Sequence, residues 1–145
     1  MQIFMKSAAT AVVLMLGLTP AIAADATNPA AIARMQLMKT IGANTKVLGG
    51  MAGGKIGFDA AAAAAAKAAI VAAAGEIDAK FAPKETDPAS EAKPEIWTNW
   101  ADFSAKGMAL KTAAESLDPA SLDGIKAGMG AIGGSCKACH SVYRM

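Results

Sequence analysis

The sequence is poor in the residues from which most active sites are made. Its 145 residues include one histidine, two cysteines and one tyrosine, and aromatic residues amount to 5%. There is no second histidine, no nucleophile with a base beside it and no phosphate-binding loop, so an enzyme is not expected. Basic residues exceed acidic ones by only 14 to 12. That balance, with no basic run interleaved with aromatics, excludes a nucleic-acid footprint and a polybasic membrane patch. No segment alternates as a strand.

What is present begins with "MQIFMKSAATAVVLMLGLTPAIA", residues 1–23. One positive charge at Lys6 precedes an apolar run from Ala8 to Leu18, and small residues follow at Ala21 and Ala23. This is the layout of a secretory signal peptide, with an apolar core too short for a permanent span. The expected mature chain is a single domain over residues 24–145. It is exported to the periplasm and has no stable membrane insertion after cleavage.

The mature chain divides into four helical segments. Asn28 and Pro29 supply a cap and a first-turn proline for a helix to about Met51, which "GGMAGGKIG" ends. Phe58 and Asp59 read as staple and cap of an alanine-rich helix to about Lys80. "APKETDPASEAKP" reads as a surface connection. A third helix is predicted over about Glu95–Leu117, and Asp118-Pro119 open a fourth that runs to about Arg144. Steps of four and three join Ile96, Trp100, Phe103, Gly107, Leu110, Ala114 and Leu117. The same steps join Leu122, Ile125, Met129, Ile132, Cys136, Cys139 and Tyr143. They are the seam of helices packed near 20° from antiparallel. The expectation is all-α, an antiparallel up-down-up-down four-helix bundle.

Its core looks thin. Alanine dominates the second helix, and Gly107, Gly128 and Gly130 lie on or near packing faces. Either the helices approach closely, or a large group that is not an amino acid fills part of the interior.

The chain ends in "GGSCKACHSVYRM". On a helix Cys136 and Cys139 leave one face a turn apart, with His140 at its edge. C-x-x-C-H is the pattern of c-type haem attachment, in which two thiols add across two vinyl groups and the imidazole meets the iron. A disulfide within a helix is strained. Zinc would lack ligands. A thioredoxin-type pair belongs at a helix N-terminus after a strand. Covalent haem c, one per chain, is therefore expected.

"CKACHSVYR", "RMQLMKTIGANTKVLG" and "EAKPEIWTNWADFSAKG" together resemble the class II c-type cytochromes, the cytochrome c′ family. The resemblance implies a four-helix bundle with haem near the C-terminus. For the sixth iron position the residues offer thioethers only. Met129 lies three turns from His140 on the same helix, and Met145 lies on the histidine side. Taking Ile41 as the centre of the first helix's buried stripe, Met38 falls about 60° off centre and Met35 about 120°. Met38 is thus expected inside and Met35 outside. Ligation by Met38 and ordinary packing both remain open. The resemblance favours the low-spin, cytochrome c-556-like branch, where a methionine four after the first-helix arginine binds iron.

Arg34 falls about 20° from the same centre. It either snorkels to the bundle end or pairs with a haem propionate, as the family implies. Arg144 resembles the family's terminal arginine near the haem, or complements the helix dipole. Trp97, Trp100 and Phe103 are expected to pack. Two functions follow: a periplasmic one-electron carrier with His140 and Met38 as iron ligands, or a five-coordinate protein binding nitric oxide or carbon monoxide. Expected partners are periplasmic redox proteins, and the alanine-rich second helix permits a homodimer.

Overall fold

The computed structural model describes residues 25–145, and the expected signal peptide lies outside the described residues. Helix α1, Pro29–Ala52, starts as the sequence predicts, with the Asn28 side chain accepting from the Ala30 and Ala31 amides. It ends in a turn where Gly54 takes φ 67°, a region that favours glycine. Helix α2, Ala60–Gly75, is capped by Asp59, which accepts from the Ala62 amide at 2.9 Å. Phe58, the expected staple, stays 42% exposed.

Three boundaries differ from the sequence expectation. The second helix breaks at Glu76, and its last turns form α3, Ile77–Phe81. Gly75, a weak helix former, precedes the break. The third divides at Asn99, φ −116° and ψ 42°, into α4, Glu95–Thr98, and α5, Trp100–Ser116. Asparagine competes with its own backbone for hydrogen bonds, which suits it to such a break. The fourth, α6, Leu122–Tyr143, is capped by Ser121 and not by Asp118. Asp118 instead accepts from the Ala120 amide, in the turn before the helix.

Helix α1 packs against α2 and α6, α2 against α5, and α5 against α6. With short connections these make the expected antiparallel bundle, which α3 and α4 extend. No strand occurs among the described residues apart from a single bridge between Ala92 and Arg144. The four-three seam is buried at Ile96, Phe103, Leu110, Leu117, Ile125 and Ile132, while Trp100 is half-buried.

Of the three glycines, two serve close approach of their neighbours and the third, Gly130, is exposed. A Cβ on Gly107 would meet Ile77 at 3.2 Å, and one on Gly128 would meet Leu117 at 2.9 Å. These are close approaches. One on Gly130 would meet nothing within 4 Å.

The α1–α6 pair has a definite register. A Cβ on Gly49 would lie 3.6 Å from the Met129 methyl. Eleven residues back along α1 is Met38, and eleven forward along α6 is His140. Equal steps along antiparallel helices, about 16 Å each, bring these two side chains to one level.

Candidate cofactor site

A cavity of about 950 Å³ opens between α1 and α6 at the end of the bundle that holds His140. Cofactor sites commonly run to roughly 300–1,000 Å³. Its walls are mostly apolar and leave that surface open to water. Walls of this kind fit a large apolar group.

Helix α1 presents two faces. Leu37, Ile41, Leu48 and Met51 are buried in the core. Met35, Met38, Gly42, Thr45 and Gly49, about 40° to 120° round the axis from Ile41, line the cavity. Met35 therefore does not point away as expected. The cavity lies to the α6 side of α1, off the bundle axis, so an angle measured from the buried stripe misplaces it. Both methionines are half-buried, but only Met38 also packs against the core cluster.

Arg34 does not snorkel. It is 2% exposed and sits in the cavity wall, its guanidinium carbon 5.3 Å from the Trp97 ring centre and 5.5 Å from that of Phe81. Its Nε donates to the Ala30 carbonyl at 3.1 Å and its Nη2 to the Glu85 carbonyl at 2.6 Å. Nη1 is buried without a partner. Burial lowers the guanidinium pKa, and the Glu85 charge opposes this. A buried donor left unpaired costs about 1–3 kcal/mol, so an anionic group in the cavity suits this side chain. Thr45 Oγ1 is a second buried polar atom without a partner.

Cys136 and Cys139 are half-buried and unpaired, and both line the cavity. Burial pushes both thiols up from the ordinary value. A thioredoxin-type pair needs the opposite shift. Among the described residues, no group of three or more His, Cys, Asp or Glu converges to hold an ion. His140 stands exposed at the cavity mouth. Partial burial of its ring, then the Arg144 charge, lowers its pKa against the pull of Glu91. This favours the neutral imidazole, the form that binds metals.

Arg144 follows the last turn of α6 in extended conformation and pairs with the Glu91 carboxylate. The Lys93 amide donates to the Tyr143 carbonyl at 3.0 Å, and the Met145 amide to the Glu91 carbonyl at 2.9 Å. Glu91 was not legible as a site residue. The connection that carries it reads as plain surface, yet Ala89, Ser90, Glu91 and Ala92 line the cavity. Asp87 ties this connection to α1, accepting from the Thr27 and Asn28 amides at 2.9 Å. Those donors hold its carboxyl below the usual range. Tyr143, 3% exposed, donates to Asp102 at 2.6 Å and meets Phe103 edge-on, with ring centres 5.4 Å apart. That hydrogen bond, followed by burial and the Asp102 charge, pushes the phenol up to about 12.

Trp97 and Phe103 pack as expected. The Trp97 indole donates to the Phe81 carbonyl at 2.8 Å beneath Arg34. The rim is not neutral: Lys39, Lys46 and Lys55 line it.

Known proteins share both the sequence and this architecture. Residues 30–144 match the family model described as Cytochrome C′. Cytochrome c-556 of Agrobacterium tumefaciens (strain apple 185) is 40% identical over 117 residues, covering 78% of this chain and 92% of the relative. The structure of cytochrome c′ from Rhodobacter Spheriodes superposes with a TM-score of 0.70 at 31% identity, covering 80% of this chain and 95% of that one. A nitric oxide complex of a cytochrome c prime variant from Alcaligenes xylosoxidans gives a TM-score of 0.70 at 29% identity, covering 79% and 93%. With the C-x-x-C-H run facing a cavity of cofactor size in a four-helix bundle, these likenesses place the chain in the cytochrome c′ family, as a protein that carries haem c.

Proposed function

We propose that the protein is an exported, periplasmic one-electron carrier. Cys136 and Cys139 would hold the haem through thioethers, and the His140 imidazole and the Met38 thioether would ligate its iron. The observation that carries this reading is the level stance of Met38 and His140 on facing antiparallel helices, either side of one cavity. Haem c supplies a ferric/ferrous couple when bound, and thioether ligation raises its potential. Arg34 offers its free Nη1 to a propionate, and stacking on Trp97 and Phe81 fixes its direction. Arg144, held by Glu91, stands on the His140 side of the cavity. No described helix is long and apolar enough to cross a membrane, which accords with release into the periplasm. A redox protein of that compartment is the expected partner, and pairing through α1 and the alanine-rich α2 would give a homodimer.

The second reading is gas binding. A variant of an Alcaligenes xylosoxidans relative forms a nitric oxide complex, and here the wall of α1 facing the cavity is mostly apolar. If Met38 packs aside, a neutral diatomic fits there.

An absorption spectrum of the wild type, with Met38→Ala and Met35→Ala, decides between them. For a carrier, the wild type is low-spin in both redox states and slow to bind carbon monoxide. Met38→Ala then becomes high-spin, loses potential and admits the gas. Because Met35 lines the same cavity, its variant tests the rival thioether; a high-spin Met35→Ala beside a low-spin Met38→Ala reassigns the ligand. A wild type already high-spin, and unchanged by either substitution, leaves gas binding as the function.

A further inference from the structure

The charges of this bundle are separated by helix. Residues 29–58 and 124–145, which contain α1 and nearly all of α6, hold seven basic residues and no Asp or Glu. All twelve carboxylates lie elsewhere, with six basic residues among the rest of residues 25–145. Apart from Asp123 in the first turn of α6, the two helices beside the cavity are therefore cationic, and the rest of the described chain is net acidic. The mature chain's balance of one charge hides this.

At the cavity rim Lys39, Lys46 and Lys55 are exposed, and none makes an ion pair among the described residues. The ion pairs of the α2–α5 side, such as Lys111 with Glu115, are local and self-neutralising. Glu91, the carboxylate lining the cavity, is taken up by Arg144. Two propionates would offset only part of seven positive charges, and Arg34 is already directed at one. Beside Lys55, Ile56 and Phe58 are 47% and 42% exposed, which adds an apolar contact to the cationic rim. Electron transfer weakens steeply with distance, so the face where the cofactor is nearest to solvent is the face a redox partner must meet. Clustered charge of one sign there steers encounter and selects the partner's sign.

We propose that the α1/α6 rim, with Lys39, Lys46 and Lys55 at its centre, is the docking surface for an acidic one-electron redox protein. The inference rests on the carrier reading. One electron leaves the ferrous iron, which becomes ferric, and reduces the partner's centre; no proton or bond is exchanged.

Stopped-flow oxidation of the ferrous holoprotein tests it, with an acidic plastocyanin (an acidic blue-copper protein) as acceptor, whose Cu(II) becomes Cu(I). At about 10 mM ionic strength, Lys39→Glu and Lys46→Glu should each slow the bimolecular step about threefold to tenfold. The variants and wild type should converge near 0.5 M salt. With the cationic oxidant tris(phenanthroline)cobalt(III), the same substitutions should accelerate the reaction. Lys111→Glu, an equal change of net charge on α5, should alter either rate less than twofold. If Lys111→Glu acts as strongly as Lys39→Glu, or if the rim variants have no effect, the docking surface is not there. If the rate constant falls as the cytochrome's own concentration rises, a second copy covers the rim and the proposal is overturned. Failure to reduce either oxidant at any salt concentration would instead remove the carrier reading itself.

Discussion

Two joints of this bundle are built on opposite terms. On the α5 side, glycine lets neighbours close to contact: Gly107 beneath Ile77, and Gly128 beneath Leu117. On the α1–α6 side, glycine leaves space: Gly42 lines the cavity, and a Cβ there would meet nothing within 4 Å. The same residue type thus serves contact at one joint and room at the other. Only the group held between α1 and α6 can make the second joint as well filled as the first.

The largest effect should come from releasing that group. In a Cys136→Ser/Cys139→Ser double variant, acid acetone should extract all the haem, whereas the wild type should retain it. The extracted protein should melt at lower temperature and less cooperatively by far-UV circular dichroism, because the α1–α6 seam loses its filling. An unchanged melt would mean that this seam closes without help. Next comes the closed joint. Gly128→Ala pushes a methyl into Leu117 and should cost about 1–3 kcal/mol in urea unfolding of the holoprotein. Gly130→Ala, two residues on and in open space, should instead stabilise by about 0.5–1 kcal/mol, since alanine loses less backbone freedom in a helix. Equal effects of the two would mean that Gly128 is not a close contact.

The smallest effect concerns Tyr143, which lies between the two joints. It is the only tyrosine, so the change in ultraviolet absorbance of phenol ionisation reports it alone. Its midpoint should lie near 12 rather than at the ordinary value of about 10. A phenol whose folded pKa is raised contributes stability that is complete below the unfolded value. That contribution declines with rising pH between about 10 and 12. Asp102→Asn should return the midpoint toward 10 and remove that slope. A midpoint that does not respond to Asp102→Asn would assign the shift to burial.

Much of the architecture was legible because its signals are local. Caps at Asn28 and Asp59 act on amides two and three residues away. The four-three steps reflect one helix's own geometry. Breaks at Glu76 and Asn99 were missed since a four-three apolar pattern continues through a single interrupted turn. Phe58 failed as a staple because its burial depends on whether the preceding turn folds back over the helix.

At the site the sequence alone determined the attachment chemistry, since the spacing of Cys136, Cys139 and His140 on one helix needs no partner to be read. It also placed Arg34 and Met38 on the inward arc of α1. The tertiary structure decided what lies opposite that arc. An angle about a helix axis says where a side chain points, and only the neighbour's position says what it meets. Hence Met35 joins Met38 at the cavity, and Arg34 stacks on Trp97 instead of reaching solvent. The Glu91–Arg144 pair arises because the proline-rich connection returns across the end of α6, 53 residues away in sequence. The separation of charge was written in the sequence from the start. Its meaning appeared only when α1, which has no carboxylate, and α6, whose one carboxylate is Asp123 in its first turn, proved to be the two that flank the cavity.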